Sequence, residues 1–182
     1  MTVRHLMWAS LITGLIVAVW FVNSLSDPAY YDPQTITDYV ASVLAEIFFL
    51  AAAYTFVVWW RVTPVRRSAW MLLGAAVGFV LWSVGNVVEE IMRIDFGENL
   101  YFVGATLAIV LTALAGVVTL TAPTRWRWTG LVLLTITASF AFEDLFEAIP
   151  IVVVPWLAFA FVLWRGMLDV PKASAESEPP TN

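Results

Sequence analysis

The chain has 182 residues, 61% of them hydrophobic and 13% charged, with nine basic side chains against fourteen acidic ones. A mean hydropathy of +0.84, with only about half the roughly 25% charge of a soluble domain, excludes a water-soluble catalytic or nucleic-acid-binding domain. The absence of Cys and the single His, His5, exclude thiolate clusters, disulfides and two-imidazole haem ligation. The sole lysine, Lys172, lies in the tail, so no retinal-type Schiff base can form inside a bundle.

Six apolar stretches use nearly the whole length. The first runs from about residue 4 to 24. Its apolar core is longer than a signal-peptide core and no small-x-small cleavage pattern follows it, so it is read as retained. The SDPAYYDPQTITD segment, with two prolines and three aspartates, is an aqueous loop. Further spans are expected at about 38–60, 68–92, 100–121, 130–146 and 151–168, each able to cross roughly 30 Å of hydrocarbon at a 1.5 Å rise, the last only just. These predict an all-α polytopic membrane protein, a bundle of six transmembrane helices with short loops over residues 1–170. Residues 171–182, polar and Pro-rich, are expected to be a disordered cytoplasmic tail.

If six helices alternate, Arg4, Arg61, Arg66, Arg67, Arg125, Arg127, Arg165 and Lys172 all fall on one side and only Arg93 on the other. The positive-inside rule then puts both termini in the cytoplasm and the protein in the cell membrane. Trp8, Trp59, Trp60, Trp70, Trp126, Trp128 and Trp164 fall at the inner helix ends, where an indole can meet lipid and water together. Acids show the opposite bias, so the net charge of −5 conceals a dipolar molecule. Two hairpins with related inner turns, RVTPVRR and TAPTRWRW, hint at a parallel internal repeat, though any such turn needs a helix breaker and positive charge.

Carboxylates within membrane helices are costly and point to function by default. Glu46 lies roughly 12 Å in from the outer end of the second span, on one face with Ser42 and Tyr39. On the third span, Gly74, Gly78, Trp82, Gly85, Asn86, Glu89 and Arg93 share an arc of about 120°. Gly74, Gly78 and Gly85 are expected to pack against another helix. Glu90 falls some 40° outside the arc with Arg93 three residues on, so a solvated helix end accounts for it. On the fifth span, Thr135, Ser139, Glu143 and Glu147 follow one another at i, i+4, with Asp144 nearby. One outer guanidinium cannot neutralise six carboxylates; the rest must be protonated, hydrated, or met by a cation or partner.

Glu46, Asn86, Glu89, Glu143 and Glu147 are therefore the candidate cation- or substrate-binding residues, with Glu46 and Glu143 expected to share one site. No cofactor is evident. A proton or hard divalent cation suits an all-oxygen donor set better than zinc or copper, and the metal, if any, is not identified. Beyond the lipid bilayer, the expected partners are a second copy or another membrane protein, and no nucleic acid. Three functions compete: a gradient-driven transporter or binding protein for a cation, proton or cationic small molecule; an auxiliary or assembly subunit of a larger membrane complex; and an intramembrane lipid-modifying enzyme with paired carboxylates. A reporter that is active only in the cytoplasm, fused after Asn182, should be active, and one active only in the periplasm should be silent; the reverse would invert the topology.

Overall fold

In the computed structural model, residues 1–24, 35–123, 125–141 and 150–165 are described. They form six helices: α1 (Val3–Ser24), α2 (Ile36–Val62), α3 (Arg66–Asn86), α4 (Phe96–Leu120), α5 (Arg127–Ala141) and α6 (Pro150–Trp164). A π-helical turn, Val87–Ile91, extends α3. α1 to α4 are long and apolar enough to cross a membrane. α5 and α6 have 15 residues each, about 22 Å, which is short of a full hydrocarbon crossing. The expected fifth and sixth spans are thus only partly matched, and residues 142–149 and 166–182, which include the continuation of both and the tail, lie outside the described residues.

The helix starts follow local chemistry. Thr35 caps α2: its hydroxyl accepts from the Asp38 N–H at 3.3 Å, and its own N–H donates to the Asp38 carboxylate at 2.7 Å. This reciprocal box satisfies two of the donors that a helix start leaves orphaned. Asp38 is thereby accounted for as a cap rather than as a member of an acidic site.

Each helix packs on its neighbours in sequence, and α6 closes on α1, giving a ring of six. Aromatic rings fill its centre. Phe56 and Phe79 join α2 to α3 at 5.3 Å between centroids, and Trp59 stacks on Phe159 of α6 at 4.3 Å. Outward, Ile12, Leu15, Leu50, Phe102, Val103, Val110 and Val117 are exposed along α1, α2 and α4. Continuous apolar faces of this extent suit lipid and not water, so the protein is a helical membrane protein.

Trp60, Trp128 and Trp164 each have a guanidinium over or beside the ring: Arg61 at 4.3 Å, Arg127 at 5.2 Å and Arg165 at 5.7 Å. Trp59 and Trp126 depart from the expected aromatic belt, because both are buried in the bundle. Helical rotation turns Trp59 about 100° from Trp60, so one indole faces the core while its neighbour is only partly buried.

α3 and α4 make the most extensive contact of any pair. It is antiparallel and built on glycine. A Cβ at Gly78 would meet the backbone N of Ala108 and the carbonyl of Gly104; one at Gly104 would meet the Trp82 backbone; one at Gly85 would meet the Tyr101 backbone; and one at Gly97 would meet Gly85 and Glu89. Gly78, Gly85, Gly97 and Gly104 are all buried. Gly74 differs: its Cβ would meet only the end of the Leu111 side chain, at 2.6 Å. Lipid tails are as apolar as leucine, so such pairs are held by close packing and polar contacts rather than by hydrophobic burial. Ser68 on α3 adds such contacts, donating to the Ala115 carbonyl at 3.3 Å and accepting from Thr119 at 2.7 Å.

Gly78→Ala and Gly104→Ala should each destabilise by about 1–3 kcal/mol, the usual range for overpacking, because backbone must yield. Gly74→Ala should cost less, since a leucine rotamer can yield instead. Thermal unfolding in detergent measures all three, and equal losses would contradict the backbone-contact account.

Candidate functional site

The polar centre of the bundle is built between α2 and α3. Glu46 is ten residues into α2, about 15 Å along its axis, and buried. A carboxyl group at that depth needs partners from another helix. Ser83 supplies one, donating its hydroxyl to Glu46 Oε2. Asn86 supplies the other, donating its Nδ2 to Glu46 Oε1 at 2.5 Å. Both Glu46 oxygens are thus engaged by α3 side chains three residues apart, the spacing that puts two residues on one helix face.

Asn86 reaches a second carboxylate as well. Its Nδ2 lies 3.4 Å from Glu90 Oε2, so one amide bridges two acids. Glu90 is half-buried here and not the solvated helix end expected from its place off the glycine stripe beside Arg93. Glu90 lies in a π-turn, in which the Met92 N–H bonds to the Val87 carbonyl, five residues back, at 3.0 Å. A π-turn takes about one residue more per turn, so Glu90 lags onto the line of Asn86 instead of standing outside the arc. π-turns recur at functional sites for this reason, re-aiming one side chain without ending the helix. Ser42, one turn before Glu46, lies beside Glu90, and its buried hydroxyl acts on that carboxylate.

A cavity of about 490 Å³ adjoins this network. Glu89, Glu90, Asn86 and Ser42 line it on the polar side, and Trp20, Phe49, Trp82, Tyr101 and Phe140 on the apolar side. Trp82 organises the wall: it stacks on Phe49 at 4.5 Å, meets Tyr101 edge-on at 5.7 Å and packs on Phe140 at 5.5 Å. Exposed Arg93 and Glu98 also line the cavity and mark its mouth. Arg93 holds a positive φ of 58°, a left-handed conformation costing a branched or long side chain of order 1–2 kcal/mol, and its charge acts on Glu90.

The structure therefore brings Glu46, Asn86 and Glu90 together, and sets Glu89 on the same cavity. Glu46 itself stands behind the cavity wall, whereas Glu90 is in it. Glu143, Asp144 and Glu147 lie outside the described residues, so the expected union of Glu46 with Glu143 falls there too. α5 itself reaches the cavity through Phe140. The hydroxyls expected to lead toward them turn back on their own helix: Thr135 to the Val132 carbonyl and Ser139 to that of Ile136, at 2.8 and 2.6 Å, with Thr135 exposed and Ser139 buried. Among the described residues, no group of three or more His, Cys, Asp or Glu side chains is arranged to hold a metal ion. Compared with protein-family models, with curated proteins and with solved structures, the chain matches none.

Sequence reasoning missed Ser83 and set aside Glu90. Ser83 could have been found from its position three residues before Asn86. Glu90 could have been found from its position four residues after Asn86, although nothing in VVEEI announces the π-turn.

Asn86→Leu should destabilise the protein by about 1–3 kcal/mol, because it strips a buried carboxyl of a donor. Adding Glu46→Leu should recover part of that loss, since removing both partners leaves no orphan at Glu46. Thermal unfolding of the single and double variants in detergent measures the difference.

Proposed function

We propose that this membrane protein binds a cation, proton or cationic small molecule at the cavity beside Glu46, Asn86 and Glu90, as a step in its movement across or sensing at the membrane. One observation carries the reading: two carboxyl groups are held within one amide's reach, beside a cavity with a charged mouth. Carboxylates are expensive in this setting and are kept where they meet a pathway or a ligand. Glu46 acts as the anchor that fixes Ser83 and Asn86, and Glu90 as the group facing the cavity. Glu89 lies on the same wall. Glu143 and Glu147 join the proposal through their sequence spacing alone.

Charge placement supports an outward-facing mouth. Arg61, Arg66, Arg67, Arg125 and Arg127 cluster at the opposite ends of the helices that carry Glu90 and Glu98, so the positive-inside rule would set the cavity toward the outside of a cell membrane with both termini within. With no nucleotide-binding loop in the sequence, gradients or a partner protein would supply the energy.

Trp20 and Trp82 line the cavity, so intrinsic fluorescence should respond to an occupant. Titration of the detergent-solubilised chain with sodium, magnesium, calcium and alkylammonium salts, and with acid, should give a saturable change for at least one. Glu90→Gln should remove it while leaving the unfolding temperature near that of the native chain. No saturable response in the native chain would overturn the cation reading and favour an assembly role.

A further inference from the structure

We infer that the occupant of this cavity is an organic ammonium ion with an apolar body, its charge set against Glu90 and its body against the aromatic wall. The inference rests on the cation-binding reading above and names the chemical class of the ligand.

Size argues first. About 490 Å³ falls within the range of small-molecule sites, roughly 300–1,000 Å³, and far exceeds what a dehydrated inorganic ion fills. Donor supply argues the same way. A calcium ion takes about six to eight oxygens, whereas both oxygens of Glu46 already accept from Ser83 and Asn86, and no metal-holding group of three stands among the described residues.

The wall supplies what a metal would not use. Phe49, Trp82, Tyr101 and Phe140 line the cavity as one aromatic cluster, and an aromatic wall accepts the alkyl or aryl body of a poorly hydrated organic cation. Charge completes the match: Glu89, Glu90 and Glu98 face the cavity against Arg93 alone among the described residues, three carboxylates to one guanidinium. Arg93 stands at the exposed mouth, so the inner part of the cavity is acidic on one side and aromatic on the other. The Ser42 hydroxyl, buried and lining the cavity beside Glu90, adds a polar atom to the acidic side.

A matched pair of probes isolates the charge. Benzyltrimethylammonium and neopentylbenzene have the same shape and differ in one atom, nitrogen with its positive charge or carbon without it. Binding to the full-length chain in lipid nanodiscs, followed by tryptophan fluorescence and by calorimetry, should favour the ammonium at least thirtyfold. Glu90→Gln should cut ammonium affinity at least thirtyfold and Trp82→Leu at least fivefold. Comparable binding of the two probes to the native chain would reveal a merely apolar pocket and overturn the inference without any variant having to fold. Ammonium binding that survives Glu90→Gln undiminished would overturn it as well. Glu90-dependent binding of sodium, calcium or protons without any of the ammonium would overturn the ligand class and leave the cation reading standing, and silence toward every cation would overturn both.

Discussion

Everything in this bundle depends on how α3 is held against α4. In lipid, apolar side chains gain little by leaving one apolar surrounding for another, so helices associate through close backbone approach and interhelical polar contacts. Gly78, Gly85, Gly97 and Gly104 remove the side chains that would hold the two backbones apart, and Ser68 with Thr119 ties their far ends. With one face of α3 committed to α4, an adjoining face meets α2, and the rotation of α3 is no longer free. That rotation is what directs Ser83 and Asn86 at Glu46.

The same dependence explains how a buried acid is tolerated. A lone carboxyl near the middle of a membrane helix would cost more than the local packing returns. Glu46 meets two donors from a helix whose rotation is already set, so little further ordering is needed to make either bond. The hydroxyls elsewhere solve a smaller version of the problem within their own helices: Thr13, Thr55, Thr112 and Thr137 each donate to a carbonyl four residues back. Thr13 and Thr55 also meet across the α1–α2 contact at 3.0 Å. The Glu46 network differs from these in joining carboxyl groups across two helices beside a cavity lined by further acids.

The π-turn at Val87–Ile91 connects packing to that cavity. Gly97 at the start of α4 is pressed against the Gly85 carbonyl and the Glu89 backbone, so the last turn of α3 is shaped by its contact with α4. The wider turn swings Glu90 onto the Asn86 line, and the chain then reverses through Arg93 in a left-handed conformation that glycine adopts more cheaply. A strained arginine at the mouth of an acidic cavity is the kind of local cost that persists when the surrounding structure over-determines it.

Composition and hydrophobic run length were enough to determine the helical membrane class, the number of apolar segments and most helix boundaries to within a few residues, because each depends on local chain chemistry and on the thickness of hydrocarbon to be crossed. The glycine spacing on the third span and the depth of Glu46 were legible for the same reason, both being simple consequences of helical rise and rotation. Which helix met those glycines, and that Ser83 and Asn86 together close on Glu46, were decided only by the tertiary structure, since a contact between helices 37 residues apart in sequence leaves no periodic trace in either. Glu90 shows the limit most clearly. Its i, i+4 spacing from Asn86 puts the two side chains on neighbouring lines of the helix, but that this face turns to the cavity rather than to solvent was decided by how α3 packs on α2 and α4.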